Sequence, residues 1–179
     1  MDRLRGYEGM LARLYFAGFR NQLADTPFRF ESRQRRPPRD PVNALLSLGY
    51  TLLLGEAVVA VQGVGLDRFA GTLHVADGSQ PSFALDMMEP FRVIVDRMVI
   101  QLARHTYTPE DFEMTDEGCR CRDGRRGAFY KAYTELMNRT VQWRGESSSY
   151  RRLIQRQAGR WAAWYDAPAN TEPELWSLA

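Results

Sequence analysis

The residues best able to do chemistry lie between Gly71 and Arg92, GTLHVADGSQPSFALDMMEPFR. Asp86 and Glu89 are three apart, so on a helix they share one face. Phe83, Leu85, Met87, Met88 and Phe91 surround them, which predicts a largely buried helix. Charged groups rarely enter apolar surroundings unless paired or bound to a metal. His74, twelve residues before Asp86, can fold back onto the same face. An imidazole and two carboxylates suit magnesium or manganese, ions that keep open positions for water and phosphate oxygens. Such a centre polarises a phosphoryl oxygen and activates an attacking hydroxyl, so these residues read as a metal-centred site acting on phosphodiesters. A buried polar network holding helices in register would show the same spacing, and on the residues alone that alternative stays open.

Charge distribution points the same way. The 179 residues carry a net charge of only +2, yet Lys131 is the only lysine among 24 basic residues. Compositional bias explains such arginine excess; so does phosphate recognition, where the planar guanidinium forks onto two oxygens. The arginines also cluster: Arg29, Arg33, Arg35, Arg36 and Arg39; Arg120, Arg122, Arg125 and Arg126; and Arg151, Arg152, Arg156 and Arg160. Three basic runs around a hard-metal site favour a polyanion partner. Cys119 and Cys121 have no neighbouring cysteine or histidine, so they read as free thiols rather than a zinc site, with the cytoplasm as the default compartment. No signal peptide and no run of about eighteen apolar residues argues for a membrane.

The elements that position these residues are helical. Leu4, Tyr7, Leu11, Leu14, Tyr15, Phe19 and Leu23 recur at helical spacing, with Glu8 on or near that apolar face. Asp25 to Asp40 loses the period and reads as a basic, semi-extended, proline-rich loop unable to supply a packed core. Asp40-Pro41 starts a helix, with Asp as N-cap and Pro at the first helical position. The apolar run from Val42 to Val64 predicts a central buried helix ended by Gly63 and Gly65. Ser82 leads a helix towards His105, and Pro90 implies a kink or a boundary just after Glu89. A small hairpin is expected over Phe112 to Arg122, a helix from Gly124 to Trp143, and another from about Ser148 to Trp164. The expected fold is all-α, a bundle of five to six helices with at most a minor β-hairpin. Residues 1–167 form one helical domain and 168–179 an extended tail.

Longer stretches carry a resemblance. Tyr7-Glu8-Gly9 is followed by Ala12-Arg13-Leu14-Tyr15-Phe16, then by Arg36-Pro37-Pro38-Arg39-Asp40-Pro41-Val42-Asn43-Ala44-Leu45-Leu46-Ser47. Gly65-Leu66-Asp67, Gly71-Thr72-Leu73-His74 and Ser82-Phe83-Ala84-Leu85-Asp86-Met87-Met88-Glu89-Pro90-Phe91-Arg92 complete the series. In this order the segments resemble the CRISPR-associated integrase of spacer acquisition, the endonuclease/integrase subunit of the adaptation module. The resemblance implies that Glu8, His74 and Glu89 hold a catalytic manganese or magnesium ion, with Asp86 as an alternative carboxylate. It makes Arg13, Arg36 and Arg92 candidates for contacts to nucleic-acid phosphates. The implied partners are DNA, as a short duplex fragment and a CRISPR repeat, a homo-oligomer (dimer or dimer of dimers), and a small bridging adaptation subunit.

The family usually carries an N-terminal β-rich domain, whereas this sequence begins almost at the first catalytic helix. A fragment, one part of a fusion and a naturally minimal form are all compatible with that start. The implied reaction is transesterification: a 3′-hydroxyl of a short duplex attacks a phosphodiester at the edge of a repeat. A general metal-dependent DNA endonuclease, with water as the nucleophile, is the rival enzyme. A non-catalytic DNA-binding subunit is the rival of another class.

Overall fold

The structure, a computed structural model, describes residues 2–71 and 80–168, with backbone alone at residues 2–5 and 8. The helices are α1 (Asp2–Asn21), α2 (Pro41–Gly63), α3 (Ser82–Met88), α4 (Arg92–His105), α5 (Arg126–Asn138) and α6 (Tyr150–Asp166). With them are two antiparallel hairpins, β1 (Phe112–Thr115) with β2 (Gly118–Cys121) and β3 (Thr140–Trp143) with β4 (Glu146–Ser149), and short 3₁₀ turns. The protein is mostly helical, as the periodicity predicts. The second hairpin was not expected, and it ends α5 at Asn138 instead of Trp143. Thr140 to Trp143 alternates in exposure, and the Arg144-Gly145 loop has positive φ at both residues, the backbone that a two-residue hairpin requires.

The chain divides into two compact units, Met1–Leu48 with Asp96–Lys131 and Gly49–Val95 with Ala132–Ala179. In the first, Phe28 and Phe30 are buried and anchor the arginine-rich loop. Phe30 lies 5.1 Å from Phe19, ring centre to ring centre, and Phe28 lies 6.0 Å from Phe112. This loop therefore does reach the core, contrary to expectation, because its two phenylalanines supply the apolar surface its arginines lack. Asn43, fully buried, ties it down: its amide donates to the Ser32 carbonyl at 2.9 Å and accepts from the Gln34 N–H at 2.8 Å. Asp40 caps α2 as expected, accepting the Asn43 N–H at 2.8 Å.

The apolar stripe of α1 behaves differently from its expected role. Phe19 and the following Leu23 are buried, but Tyr7, Leu11, Leu14 and Tyr15 are exposed. Periodicity identifies the apolar face of a helix, not whether the same chain covers it. The first hairpin packs tightly. The Cys119 N–H donates to the Pro38 carbonyl at 2.8 Å, and a Cβ at Gly118 would meet that oxygen at 2.6 Å. Cys119 and Cys121 are both free and buried, and burial pushes the Cys119 thiol up to about 11.

By length and composition alone α2 is apolar enough to cross a membrane. Leu53, Ala57 and Val61 are nonetheless fully buried within the second unit, as in a core helix. The helix ends at Gly63, and just beyond it Gly65, whose φ is 77°, permits the closing bonds: Leu66 N–H to Val61 carbonyl, 3.1 Å, and Gly65 N–H to Gln62 carbonyl, 3.0 Å. Its one acid, Glu56, takes three bonds from Arg151 of α6, at 2.7, 3.0 and 3.1 Å. Phe83 of α3 meets Trp161 of α6 edge-on at 5.8 Å. Ser149 caps α6, accepting the Arg152 N–H at 3.3 Å.

Candidate active site

Pro90 decides the local geometry around Glu89. Lacking an N–H, it cannot continue the α-helical bonding of α3. The chain tightens into a 3₁₀ turn over Glu89–Phe91, in which the Glu89 N–H donates to the Asp86 carbonyl and the Arg92 N–H to the Glu89 carbonyl. The boundary thus falls at Glu89, one of the two outcomes the sequence allows. Met87, Met88 and Phe91 are buried around it, while Asp86, Glu89 and Arg92 are only partly exposed. Burial is therefore split by face, and the carboxylates occupy its wetter side.

Glu89 is engaged. Arg92 Nη1 donates to its Oε1 at 2.8 Å and its Oε2 at 3.0 Å. The guanidinium also lies 4.3 Å from the centre of the Tyr50 ring, and its side chain is 18% exposed against 37% for Glu89. Burial lowers the Arg92 pKa, but Tyr50 and Glu89 outweigh it and the net direction is up. A permanently charged arginine therefore stands beside a carboxylate that solvent still reaches.

His74 lies outside the described residues, but both ends of its segment are described. Gly71 packs so closely on the first turn of α3 that a Cβ there would come within 2.6 Å of Ser82. At the other end, the Ser82 N–H donates to the Gln80 carbonyl at 2.8 Å. The Arg68 carbonyl accepts the Phe83 N–H at 2.9 Å, and Ser82 Oγ donates to the Phe69 carbonyl at 2.8 Å. The described residues on either side of the segment bearing His74 therefore both lie at the N-terminus of the helix that carries Asp86.

In the first unit, position 8 lies on α1 two turns before Tyr15, hence on the same side of the helix. Nothing is described of the Glu8 side chain. Tyr15 donates its hydroxyl to Asp96, a buried carboxylate of α4. Sequence reading missed Asp96; the signal was an acid inside the apolar run Ile94-Val95-Asp96. Arg13 and Arg36 are exposed. Arg13 lines a groove of about 410 Å³ together with Arg20, Arg33 and Arg35, two of which come from the proline-rich loop. Among the described residues, no three acids, histidines or cysteines converge as a metal cluster.

Residues 1–135 match the family model of the CRISPR associated protein Cas1. The chain belongs to that family. It is 41% identical over 161 residues to CRISPR-associated endonuclease Cas1 3 of Thermus thermophilus, covering 88% of this chain and 48% of the relative. It is 37% identical over 167 residues to a CRISPR-associated exonuclease Cas4/endonuclease Cas1 fusion of Geobacter sulfurreducens, covering 88% and 30%. Among solved structures, a Cas1 protein from Thermotoga maritima superposes with a TM-score of 0.84 at 27% identity, covering 97% of this chain and 55% of that one. A casposase bound to integration product superposes with a TM-score of 0.83 at 28% identity, covering 93% and 48%. A Cas6-RT-Cas1–Cas2 complex gives 0.87 at 25% identity, covering 99% and 20%. The chain spans about half the length of the Cas1 endonuclease of Thermus thermophilus that it matches.

Proposed function

We propose that this chain is the catalytic, metal-dependent part of a CRISPR-adaptation DNA integrase, joining 3′-hydroxyl ends of short DNA fragments into a CRISPR array. The observation that carries the reading is its membership of the Cas1 family together with a solvent-reachable Glu89 fixed at a helix break by Arg92. The curated relatives are named endonucleases, and one structural neighbour is a casposase bound to integration product.

The donor set fits a hard divalent ion. A carboxylate offers about four lone-pair positions, and Arg92 occupies one on each Glu89 oxygen, so both keep capacity for a ligand bond. Glu8, His74 and Glu89 would hold manganese or magnesium, with Asp86 beside them on α3. His74 follows Gly71 by three residues, a reach of about 10 Å, and Glu89 lies about 10 Å along the axis from Ser82. In this reading the histidine spans that distance to reach the carboxylate. When bound, the ion would stabilise charge on the reacting phosphoryl oxygens.

The residues of the chain divide the remaining work. Arg92 orients the Glu89 carboxylate as an outer partner of a metal ligand does. Arg13 and Arg36, with Arg20 and Arg35 beside Arg13 along the groove, neutralise backbone phosphates and make binding steeply salt-dependent. Phosphate contacts carry no base information, so target choice rests on DNA shape, base contacts elsewhere or partners. The assembly we propose is a cytoplasmic homo-oligomer working with a bridging subunit on DNA.

A strand-transfer assay tests this reading, with a labelled short duplex and a supercoiled plasmid carrying a CRISPR array. The proposal expects label joined to plasmid with manganese, and none with EDTA or with His74→Ala. Nicking without joining would replace the integrase by the endonuclease named in the relatives. Metal-independent DNA binding with no reaction, in this chain and in its full-length relatives, would make it a binding subunit.

A further inference from the structure

Arg152, Arg156 and Arg160 recur one turn apart on α6 and form a stripe along one face. Like charges at this spacing repel, so helix stability does not account for the stripe. The β3–β4 hairpin sets Trp143 against it. The guanidinium carbons of Arg160 and Arg156 lie 4.7 and 5.8 Å from the centre of the Trp143 ring, and that of Arg144, in the hairpin loop, lies 5.2 Å away. One half-buried indole thus gathers three guanidiniums. A ring face engages the flat face of a guanidinium and not its in-plane N–H groups, which are the ones that fork onto a phosphate and that a lysine ammonium lacks. Beside the stripe runs an open groove of about 490 Å³, lined by Ser147, Ser148, Gln155 and Arg152 among others. Its one acid, Glu146, pairs with Arg156 at 2.6 Å and fixes that arginine against the hairpin. Hydroxyls, an amide and forked cations are the donors that a phosphodiester accepts from.

We propose that Trp143, Arg144, Arg152, Arg156 and Arg160 form a second phosphodiester-binding surface that grips the backbone of a nucleic-acid strand. The surface contains none of the candidate metal ligands and lies beyond residue 135, where the match to the family model ends. Recognition is of the backbone and independent of base sequence. Trp143 acts by ordering the guanidiniums rather than by stacking a base, because the arginines cover its ring. The inference deepens the DNA-processing reading and rests on it.

The test is fluorescence anisotropy of a fluorescein-labelled DNA duplex with the full chain, titrated across salt concentrations. The variants are Arg152→Gln/Arg160→Gln, Arg152→Lys/Arg160→Lys and Trp143→Leu, each checked by a thermal melt. Each phosphate contact contributes about 0.9 to the slope of log affinity against log salt, so the glutamine pair should flatten it by about 1.8. The lysine pair keeps the wild-type slope, since its charge is unchanged, and binds more weakly for want of the fork. Trp143→Leu likewise weakens binding at an unchanged slope. Should the glutamine pair melt early, Arg152→Gln alone, at an exposed position, should still lower the slope by about 0.9. A well-folded glutamine variant with the wild-type slope would overturn this surface and leave the DNA-processing reading standing. Absence of DNA binding by the wild type would overturn both.

Discussion

Arg92 donates to both carboxylate oxygens of Glu89, at 2.8 and 3.0 Å, from just across the Pro90 break. This pair fixes the direction of Glu89, the member of the proposed Glu8, His74 and Glu89 set whose side chain is described. Arg92 is in turn fixed over the Tyr50 ring, so the carboxylate is positioned by a chain of contacts within one unit. Removing the arginine should leave the ligand present but loosely aimed. Arg92→Gln is expected to lower metal-dependent turnover about 10–100-fold, the usual effect of losing an outer partner of a metal ligand. Steady-state assays across manganese concentration check this: the variant should need more metal, and added metal should recover part of the loss. A variant with wild-type metal dependence would separate Arg92 from the ligand.

Gly118 carries a structural prediction. Its φ is 109°, a conformation that side chains rarely adopt, and an added Cβ would lie 2.6 Å from the Pro38 carbonyl oxygen. The neighbour is backbone, so it cannot swing aside. Gly118→Ala should destabilise the protein by about 1–3 kcal/mol, read as a lower midpoint in urea unfolding. Because Pro38 belongs to the arginine-rich loop, that loop should also become more open to limited proteolysis. Unfolding at the wild-type midpoint would show that the hairpin relaxes away from Pro38.

How much of this arrangement the amino acids reveal depends on the kind of signal. Asp40-Pro41, Gly65 and Pro90 act through their own backbone restrictions, so α2 and the break at Glu89 are legible residue by residue. The segment from Thr140 to Trp143 reads as helix because it adjoins a strong helical period, and two adjacent β-branched residues, Thr140 and Val141, are a weak signal against it. Tyr7, Leu11 and Leu14 show the apolar face of α1 but not what covers it. Asn43 looks like a lone polar exception in an apolar helix, whereas its bonds to Ser32 and Gln34, far back in sequence, make it the anchor of a loop. For the site, only the carboxylate face of α3 is local. Glu8, His74 and Glu89 are widely separated in sequence, so their joint role comes from motif resemblance and not from spacing.

Acid should expose one ion pair in particular. Asp111 is partly withdrawn from water, which raises its pKa. The Thr108 N–H at 2.9 Å and Arg125 Nε at 2.7 Å outweigh that and hold it below the usual carboxylate value. A group whose pKa is depressed on folding stabilises the native state above its unfolded value, about 3.9, and loses that contribution as pH falls through the folded value. Thermal melts at descending pH should therefore show a steep acid limb in the wild type. Asp111→Asn should start from a lower melting temperature at neutral pH and fall less steeply below about pH 4. Parallel curves for the two proteins would remove Asp111 from the acid response.

The central claim is that Glu8, His74 and Glu89 hold one divalent ion. Manganese titration followed by electron paramagnetic resonance, comparing the wild type with Glu8→Gln, His74→Ala and Glu89→Gln, tests it most directly. The account predicts saturable binding of one manganese per wild-type chain and a large loss of affinity in each variant, with thermal melts in the absence of metal unchanged. Equal binding by all four proteins would contradict it and leave those residues a structural role.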